Sequence, residues 1–158
     1  MKCTNLLIAL ALTFCTTVLT AQSLEGVWKM TSHEYVSPEG TESMDPAQPG
    51  LLIISGDYYS MAAVMADEER PLLPVSRDWE DAELMQKTFG AYMSNSGTYT
   101  IAGNNLTLTP HAALSPNVMH DGNTLSTTFT LEGDVLNVII PRGPEGENTW
   151  TIVMERVQ

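Results

Sequence analysis

Aromatic and methionine side chains are the most prominent candidates for chemistry in this chain, because these residue types line apolar binding pockets. They offer large, adaptable contact area, and tyrosine adds a hydroxyl that can orient a bound molecule. For any one of them, packing in a core is the competing role. As a set they favour a pocket for an apolar small molecule or lipid, and the residues predicted to contact it are Tyr59, Met61, Tyr92, Tyr99, His111, Phe129 and Trp150.

Trp28 and Arg156 form a second candidate pair, one near each end of the chain. We predict that the guanidinium stacks on the indole and closes one end of the fold, a contact worth about 1–2 kcal/mol when it is desolvated. The functional alternative makes Arg156 an anchor for a ligand carboxylate. The stacking interpretation is favoured because the tryptophan ring explains the arginine without a ligand.

Acid–base catalysis is the alternative to simple binding. The sequence contains no serine nucleophile elbow, no phosphate-binding glycine loop and no paired-histidine zinc motif, and we predict neither a metal site nor a cofactor. A shaped apolar cavity could still tune Tyr99, His111 or Glu34 for a cofactor-free isomerase or cyclase reaction. A third hypothesis is a barrel packed solid, which would act as a structural or interaction protein.

The charge balance argues against two classes of partner. The chain carries 19 acidic residues against 7 basic ones, for a net charge of −12. Nucleic-acid binding draws its affinity from clustered lysine and arginine, so nucleic acid is not predicted as a partner. An anionic membrane surface would likewise repel the protein.

The first 21 residues have the layout of a secretory signal peptide. Lys2 is their one charge, an apolar run follows from Leu6 to Leu12, and Thr20-Ala21 precedes the predicted cleavage point. The strongly apolar stretch is shorter than the roughly 20 residues that a spanning helix needs. We therefore expect a secreted or periplasmic protein whose domain spans residues 22–158 and which has no stable membrane insertion after cleavage. That domain contains no cysteine, so its stability must come from a core.

Beyond residue 26, apolar and polar residues alternate with the period of two that is typical of β-strands. In the first strand Trp28 and Met30 share one face, and His33 falls on the opposite, polar face. The pattern with its intervening turns predicts eight strands, at residues 27–33, 51–55, 58–65, 97–102, 106–109, 124–131, 135–140 and 149–157.

Eight antiparallel strands joined mostly by short hairpins favour a closed barrel over a β-sandwich, because closure buries one face and removes the sheet edges. An eight-stranded barrel can be filled by side chains or can hold one small ligand. The prediction is therefore an all-β protein with an eight-stranded antiparallel barrel.

One segment, residues 78–94, has helical periodicity instead. Its apolar residues recur every three or four positions from Trp79 to Met93, and Asp78 can cap its first turn. We predict one amphipathic helix here, between the third and fourth strands. It would either cap the barrel mouth or pack on the outer wall.

The opening Gly26-Val27-Trp28 resembles the Gly-x-Trp signature of lipocalins, and Arg156 resembles the terminal arginine that packs across that tryptophan. Further along, the segments 58–61, 90–99 and 108–111 are similar to those of the bacterial lipocalin-like domain family. The resemblance implies a lipocalin-like, calycin-type β-barrel. In that family the barrel is what members share, and their ligands are mostly unknown.

Overall fold

The structure is a computed structural model that describes residues 23–73, 81–143 and 146–157. The predicted signal peptide, residues 1–21, lies outside the described residues. Within them the chain forms nine β-strands, one α-helix and two short 3₁₀ turns. The strands are β1 (Gly26–Ser37), β2 (Gly40–Met44), β3 (Gly50–Ser55), β4 (Tyr58–Val64), β5 (Tyr92–Ala102), β6 (Asn105–Ala113), β7 (Leu125–Glu132), β8 (Val135–Arg142) and β9 (Asn148–Arg156). The helix α1 is Ala82–Phe89, and the 3₁₀ turns are Pro116–Val118 and His120–Gly122.

Eight of the strands form a closed antiparallel barrel. Each strand from β3 to β8 pairs with the strand that follows it in the chain, and β1 closes the sheet by pairing with both β3 and β9. This pairing confirms the predicted closed barrel. The alternative considered from the sequence, a sandwich of two separate sheets, is wrong. The ninth strand, β2, was not predicted. It pairs with the second half of β1, where β1 has already separated from β3.

The two ends of the barrel differ in their connections. Tight turns at residues 55–58, 102–105 and 132–135 join strands at one end, which we call the closed end, and each contains a glycine with positive φ. The opposite, open end carries the longer connections: that through β2, that through α1 and that through the two 3₁₀ turns. Because loops of this kind usually carry binding functions, the open end is where a ligand site is expected.

Alternation explains how the strands build a core. In β3, Leu52 and Ile54 are buried inside the barrel, whereas Leu51 and Ile53 are exposed on its outer wall. The same pattern places Leu136 and Val138 of β8 inside. A single apolar core results, centred on the barrel axis.

The predicted exposure of His33 is wrong, because β1 contains a β-bulge. Met30 pairs with Met154 and Ser32 with Val153, so Thr31 is an extra residue in β1. A bulge of this kind reverses the side-chain alternation that follows it. His33 therefore points inward and is only 7% exposed.

The predicted helix is shorter than expected, and it lies between β4 and β5 of the nine strands. Asp81 caps it by accepting a 2.9 Å hydrogen bond from the Leu84 N–H, and the predicted cap Asp78 lies outside the described residues. At the other end, Tyr92 and Met93 belong to β5, because they pair with Val64 and Ala63 of β4. No helix in the described part of the chain is both long and apolar enough to cross a membrane.

Candidate functional site

Trp28 and Arg156 are in contact at the closed end of the barrel. Trp28 is 0% exposed, and its indole N–H donates a 2.8 Å hydrogen bond to the Leu24 carbonyl. The guanidinium carbon of Arg156 lies 4.1 Å from the centroid of the indole ring. The guanidinium therefore lies over the indole ring.

Arg156 is held in place by hydrogen bonds that leave little freedom for a ligand. Its Nη1 donates to the Glu25 carbonyl, its Nη2 to the Ser23 carbonyl at 3.0 Å, and its Nε to the Asp134 carboxylate at 3.2 Å. All three contacts lie at the closed end. They support a structural role for Arg156 rather than the alternative in which it anchors a ligand carboxylate.

Gly26 is required by this arrangement. Its φ is +134°, a backbone conformation that residues with side chains rarely adopt. A Cβ at this position would also stand 2.6 Å from Nη1 of Arg156. The glycine of the Gly26-Val27-Trp28 motif therefore makes room for the guanidinium that covers the tryptophan two residues later.

Two predicted ligand-contacting residues, Tyr99 and Phe129, are half-buried against the core cluster that contains Trp28. The backbone N–H of Tyr99 bonds to Asp57 O and that of Phe129 to Asn104 O, and both acceptors lie in closed-end turns. These two side chains therefore occupy core positions at the closed end of the barrel.

The barrel interior contains a cavity of about 190 Å³. Its walls are mostly aliphatic, with side chains from seven of the eight barrel strands. The deepest of these residues are buried, and they include Leu52, Ile54, Met61, Leu106, Leu108 and Val138. This cavity, which we call the interior cavity, is the candidate functional site.

One buried polar pair faces the interior cavity. The Tyr59 hydroxyl donates a 2.7 Å hydrogen bond to Oδ1 of Asn95, and both side chains line the cavity. Burial raises the pKa of Tyr59 to about 12, so the phenol remains protonated at neutral pH. Its oxygen keeps lone pairs that can accept a hydrogen bond from a bound molecule.

The mouth of the interior cavity is formed by the β6–β7 connection. Leu114, Ser115 and Val118 come from this connection and its first 3₁₀ turn, and Tyr92 and Arg142 line the cavity from the ends of β5 and β8. None of the described lining residues belongs to α1. The sequence analysis predicted that the helix either caps the barrel mouth or packs on the outer wall. The segment that lines the mouth is instead the β6–β7 connection.

The structure separates the seven predicted contact residues into different environments. Tyr59, Met61 and Tyr92 line the interior cavity, and Trp150 lines a second cavity described below. Tyr99 and Phe129 pack against the core cluster and line neither cavity. His111 is exposed and lines none of the described cavities, because it is the extra residue of a bulge opposite Gly97.

Sequence reasoning missed most of the aliphatic lining. Leu108, Leu125 and Val138 read as ordinary core residues, since their alternation predicts only that they point inward. Whether an inward position faces a cavity or another side chain depends on how the side chains of all the strands pack together. No sequence signal carried that information.

The acid–base alternative finds no support in the interior cavity. Tyr99, His111 and Glu34 do not line it, and its Tyr59 phenol is protonated at neutral pH. Among the residues that the structure describes, no group of three or more His, Cys, Asp or Glu side chains is arranged to hold a metal ion.

A second cavity, of about 400 Å³, lies at the open end between β1, β2, β9 and the segment that follows β4. We call it the side cavity. His33 is buried in its wall, and neither ring nitrogen has a hydrogen-bond partner among the described residues. Burial lowers the pKa of His33 below its ordinary 6.5, which favours the neutral imidazole.

The buried imidazole predicts a specific dependence of stability on pH. His33 stays neutral in the folded protein at pH values where the unfolded chain already binds a proton. Its contribution to the free energy of unfolding is complete above pH 6.5 and is lost as the pH falls through the lower folded-state pKa. Between pH 6.5 and the folded-state pKa, protonation of His33 in the unfolded chain should lower the free energy of unfolding by at most about 1.4 kcal/mol per pH unit.

Urea denaturation of the wild type and of His33→Gln, between about pH 8 and pH 5, measures this dependence. His33→Gln should show a shallower loss than the wild type. The matched control His111→Gln, which removes an exposed histidine, should follow the wild type. Equal slopes for His33→Gln and the wild type would contradict the prediction.

No protein-family model and no curated protein match the chain. An uncharacterized protein from Bacteroides eggerthii, known from its crystal structure, matches 85% of this chain and 100% of its own at 12% identity, with a TM-score of 0.44. Crystal structures of two point mutants of the fluorescent protein UnaG match 85% of this chain and 96% of their own at 14% identity, with TM-scores of 0.39 and 0.37.

Proposed function

We propose that this protein is an exported binding protein that holds a small apolar molecule in the interior cavity. The observation that carries the proposal is the apolar cavity of about 190 Å³ inside the barrel, which side chains from β3 to β9 line. Apolar cavities of this size stay free of water and take up apolar compounds. The interior cavity therefore has the character of a ligand site with an entrance at the open end.

The cavity volume limits the size of the ligand. At about 190 Å³ the cavity is slightly larger than an engineered cavity of roughly 150 Å³ that binds benzene. A single substituted ring or an alkyl chain of similar volume fits this space. The pockets that hold drug-sized molecules are larger, about 300–1,000 Å³. The preferred ligand class is thus monocyclic or short-chain.

The wall of the cavity can also orient its ligand. Tyr59 already donates its proton to Asn95, so its oxygen is free to accept a hydrogen bond. A ligand with one hydroxyl or amine group would satisfy this acceptor while its apolar part contacts residues such as Leu108 and Val138. We expect such ligands to bind more tightly than their unsubstituted analogues.

Export and a lipocalin-like relationship are part of the proposal. Both depend on sequence features: the signal-like segment 1–21, the lack of cysteine beyond it, and the Gly26-Val27-Trp28 motif with Arg156. Amino-terminal sequencing of the protein recovered from its own compartment would test export. A mature chain that begins at Gln22 is expected.

Filling the cavity should weaken ligand binding without breaking the barrel. Val138 is buried and lines the interior cavity, whereas its neighbour Ile139 points to the outer wall and is 37% exposed. Val138→Phe places a ring in the cavity and should weaken toluene binding by about 10-fold or more, because one buried side chain of this size is worth 1.5–3 kcal/mol. Ile139→Phe adds the same ring outside and should leave toluene affinity unchanged.

Toluene binding is measured by NMR titration of isotope-labelled protein, with circular dichroism to verify folding. Leu125→Phe is a second filling variant on another strand, in case Val138→Phe is overpacked. Absence of saturable toluene binding to the wild type would contradict the proposal. Equal affinity in the filled and control variants would also contradict it.

A further inference from the structure

We propose that the side cavity is a second binding site, selective for a small protonated amine. It is distinct from the interior cavity, because the two share no lining residue. Three aromatic rings, from His33, Tyr35 and Trp150, form part of its wall, and Glu42 and Asp67 supply carboxylates.

The buried His33 points to a ligand that forms hydrogen bonds. The side chain is more than nine-tenths buried, and both ring nitrogens lack a partner among the described residues. A neutral imidazole has one N–H donor and one acceptor nitrogen, and buried groups of this kind are normally satisfied. A molecule in the side cavity that carries an N–H group could donate to the acceptor nitrogen.

The aromatic rings around Trp150 are suited to a cation. The Trp150 ring centroid lies 5.2 Å from that of His33 and 4.9 Å from that of Tyr35, with the planes tilted by 43° and 40°. Tilted rings of this kind provide walls on more than one side of a bound group. Ammonium groups are attracted to the faces of tryptophan and tyrosine, most strongly where water is excluded.

The charges in the side cavity have one sign. Glu42 of β2 and Asp67 beyond β4 line it, and none of its described lining residues is a lysine or an arginine. Carboxylates accept hydrogen bonds and attract cations. The unprotonated nitrogen of neutral His33 can also accept a hydrogen bond. A primary amine, protonated at neutral pH, supplies both the charge and the N–H donors, and Met44 and Met65 provide apolar contact for its carbon chain.

This site gives a role to β2, which the barrel itself does not need. β2 pairs only with β1 and lies outside the eight-stranded closure. It contributes Glu42, Ser43 and Met44 to the side cavity. Without this strand the cavity would lack one wall and one of its two carboxylates.

The test uses three probes at one pH and constant ionic strength: n-butylammonium, the neutral 1-butanol and tetramethylammonium, which has charge but no N–H. Binding is followed by NMR signals of the Trp150 indole and the His33 ring in the full chain. We expect saturable n-butylammonium binding, with the other two probes weaker by about 10-fold or more. Equal affinity for 1-butanol or for tetramethylammonium would overturn the proposal.

Matched variants assign the binding to the side cavity. Glu42→Gln and Trp150→Leu should each lower the affinity for n-butylammonium by at least about 5-fold. The first removes a carboxylate and the second an aromatic face that attracts the cation. Glu155→Gln changes an exposed carboxylate on β9 that lines neither cavity, and it should bind like the wild type. Wild-type affinity in both Glu42→Gln and Trp150→Leu would overturn the proposal. Toluene titration of Glu42→Gln should be normal, so failure of this site is distinguishable from failure of the proposed function.

Discussion

Replacing Trp28 with alanine should lower the free energy of unfolding by about 3–5 kcal/mol, the usual cost of truncating a fully buried aromatic residue. Trp28 has no exposed surface, lies at the centre of the closed-end core and donates a hydrogen bond to Leu24. Its loss would leave a void beneath Arg156. Urea denaturation measures the effect, and Tyr58→Ala, at a ring that is 63% exposed, should cost far less.

Replacing Arg156 with alanine should also lower the free energy of unfolding. Arg156→Ala removes the cation over the indole and the hydrogen bonds to Ser23, Glu25 and Asp134. In a double-mutant cycle, the two substitutions together should cost less than the sum of the single ones, because they remove a shared contact. Additive costs, or an unchanged melting temperature in Arg156→Ala, would show that the stack does not hold the closed end together.

The second large effect is expected at Gly97, where β5 faces the bulge in β6. A Cβ added here would lie under 3.0 Å from the Thr109 carbonyl oxygen, the His111 nitrogen and the Pro110 Cα. All three are backbone atoms, which cannot move without disturbing the β5–β6 pairing. Gly97→Ala should therefore destabilise the barrel by about 3 kcal/mol or more, at the upper end of the cost of overpacking.

Thermal melting of Gly97→Ala provides the measurement, with amide NMR signals of β5 and β6 to locate the disturbance. Ser96→Ala, at the adjacent position, adds no volume and serves as the control. A melting temperature for Gly97→Ala close to that of Ser96→Ala would mean that β6 can shift at low cost.

The barrel was predictable from the sequence because burial on one face imposes a period of two. The alternation of Leu51 with Leu52 and of Ile53 with Ile54 is hidden in a continuous apolar run, yet the flanking turns mark the strand. By contrast, β2 has the sequence Gly-Thr-Glu-Ser-Met and is largely exposed, so no apolar alternation could reveal it. It forms because the second half of β1 offers it an edge.

Local irregularities account for the other errors. The bulge at Thr31 places His33 inside, and a one-residue insertion of this kind leaves no trace in the hydrophobic pattern. At Tyr92 and Met93 the residues suit a helix as well as a strand. Their pairing with β4, a contact between distant parts of the chain, decides between the two.

The candidate site was only partly predictable, because residue type does not report whether an inward side chain faces a cavity or another side chain. Tyr59 and Tyr99 are both inward tyrosines, but Tyr59 lines the interior cavity and Tyr99 packs against the core cluster without lining it. Strand register determines which of these places a residue occupies. That register depends on all eight strands together.

The unequal ends of the barrel have a consequence for redesign. Most of the closed-end core can remain untouched while the open-end connections and the cavity wall are varied. Substitutions at Leu114, Val118 or Leu125 alter the entrance without touching the Trp28–Arg156 stack. The protein thus offers a scaffold in which libraries of new specificities can be sampled at small risk to the rest of the molecule.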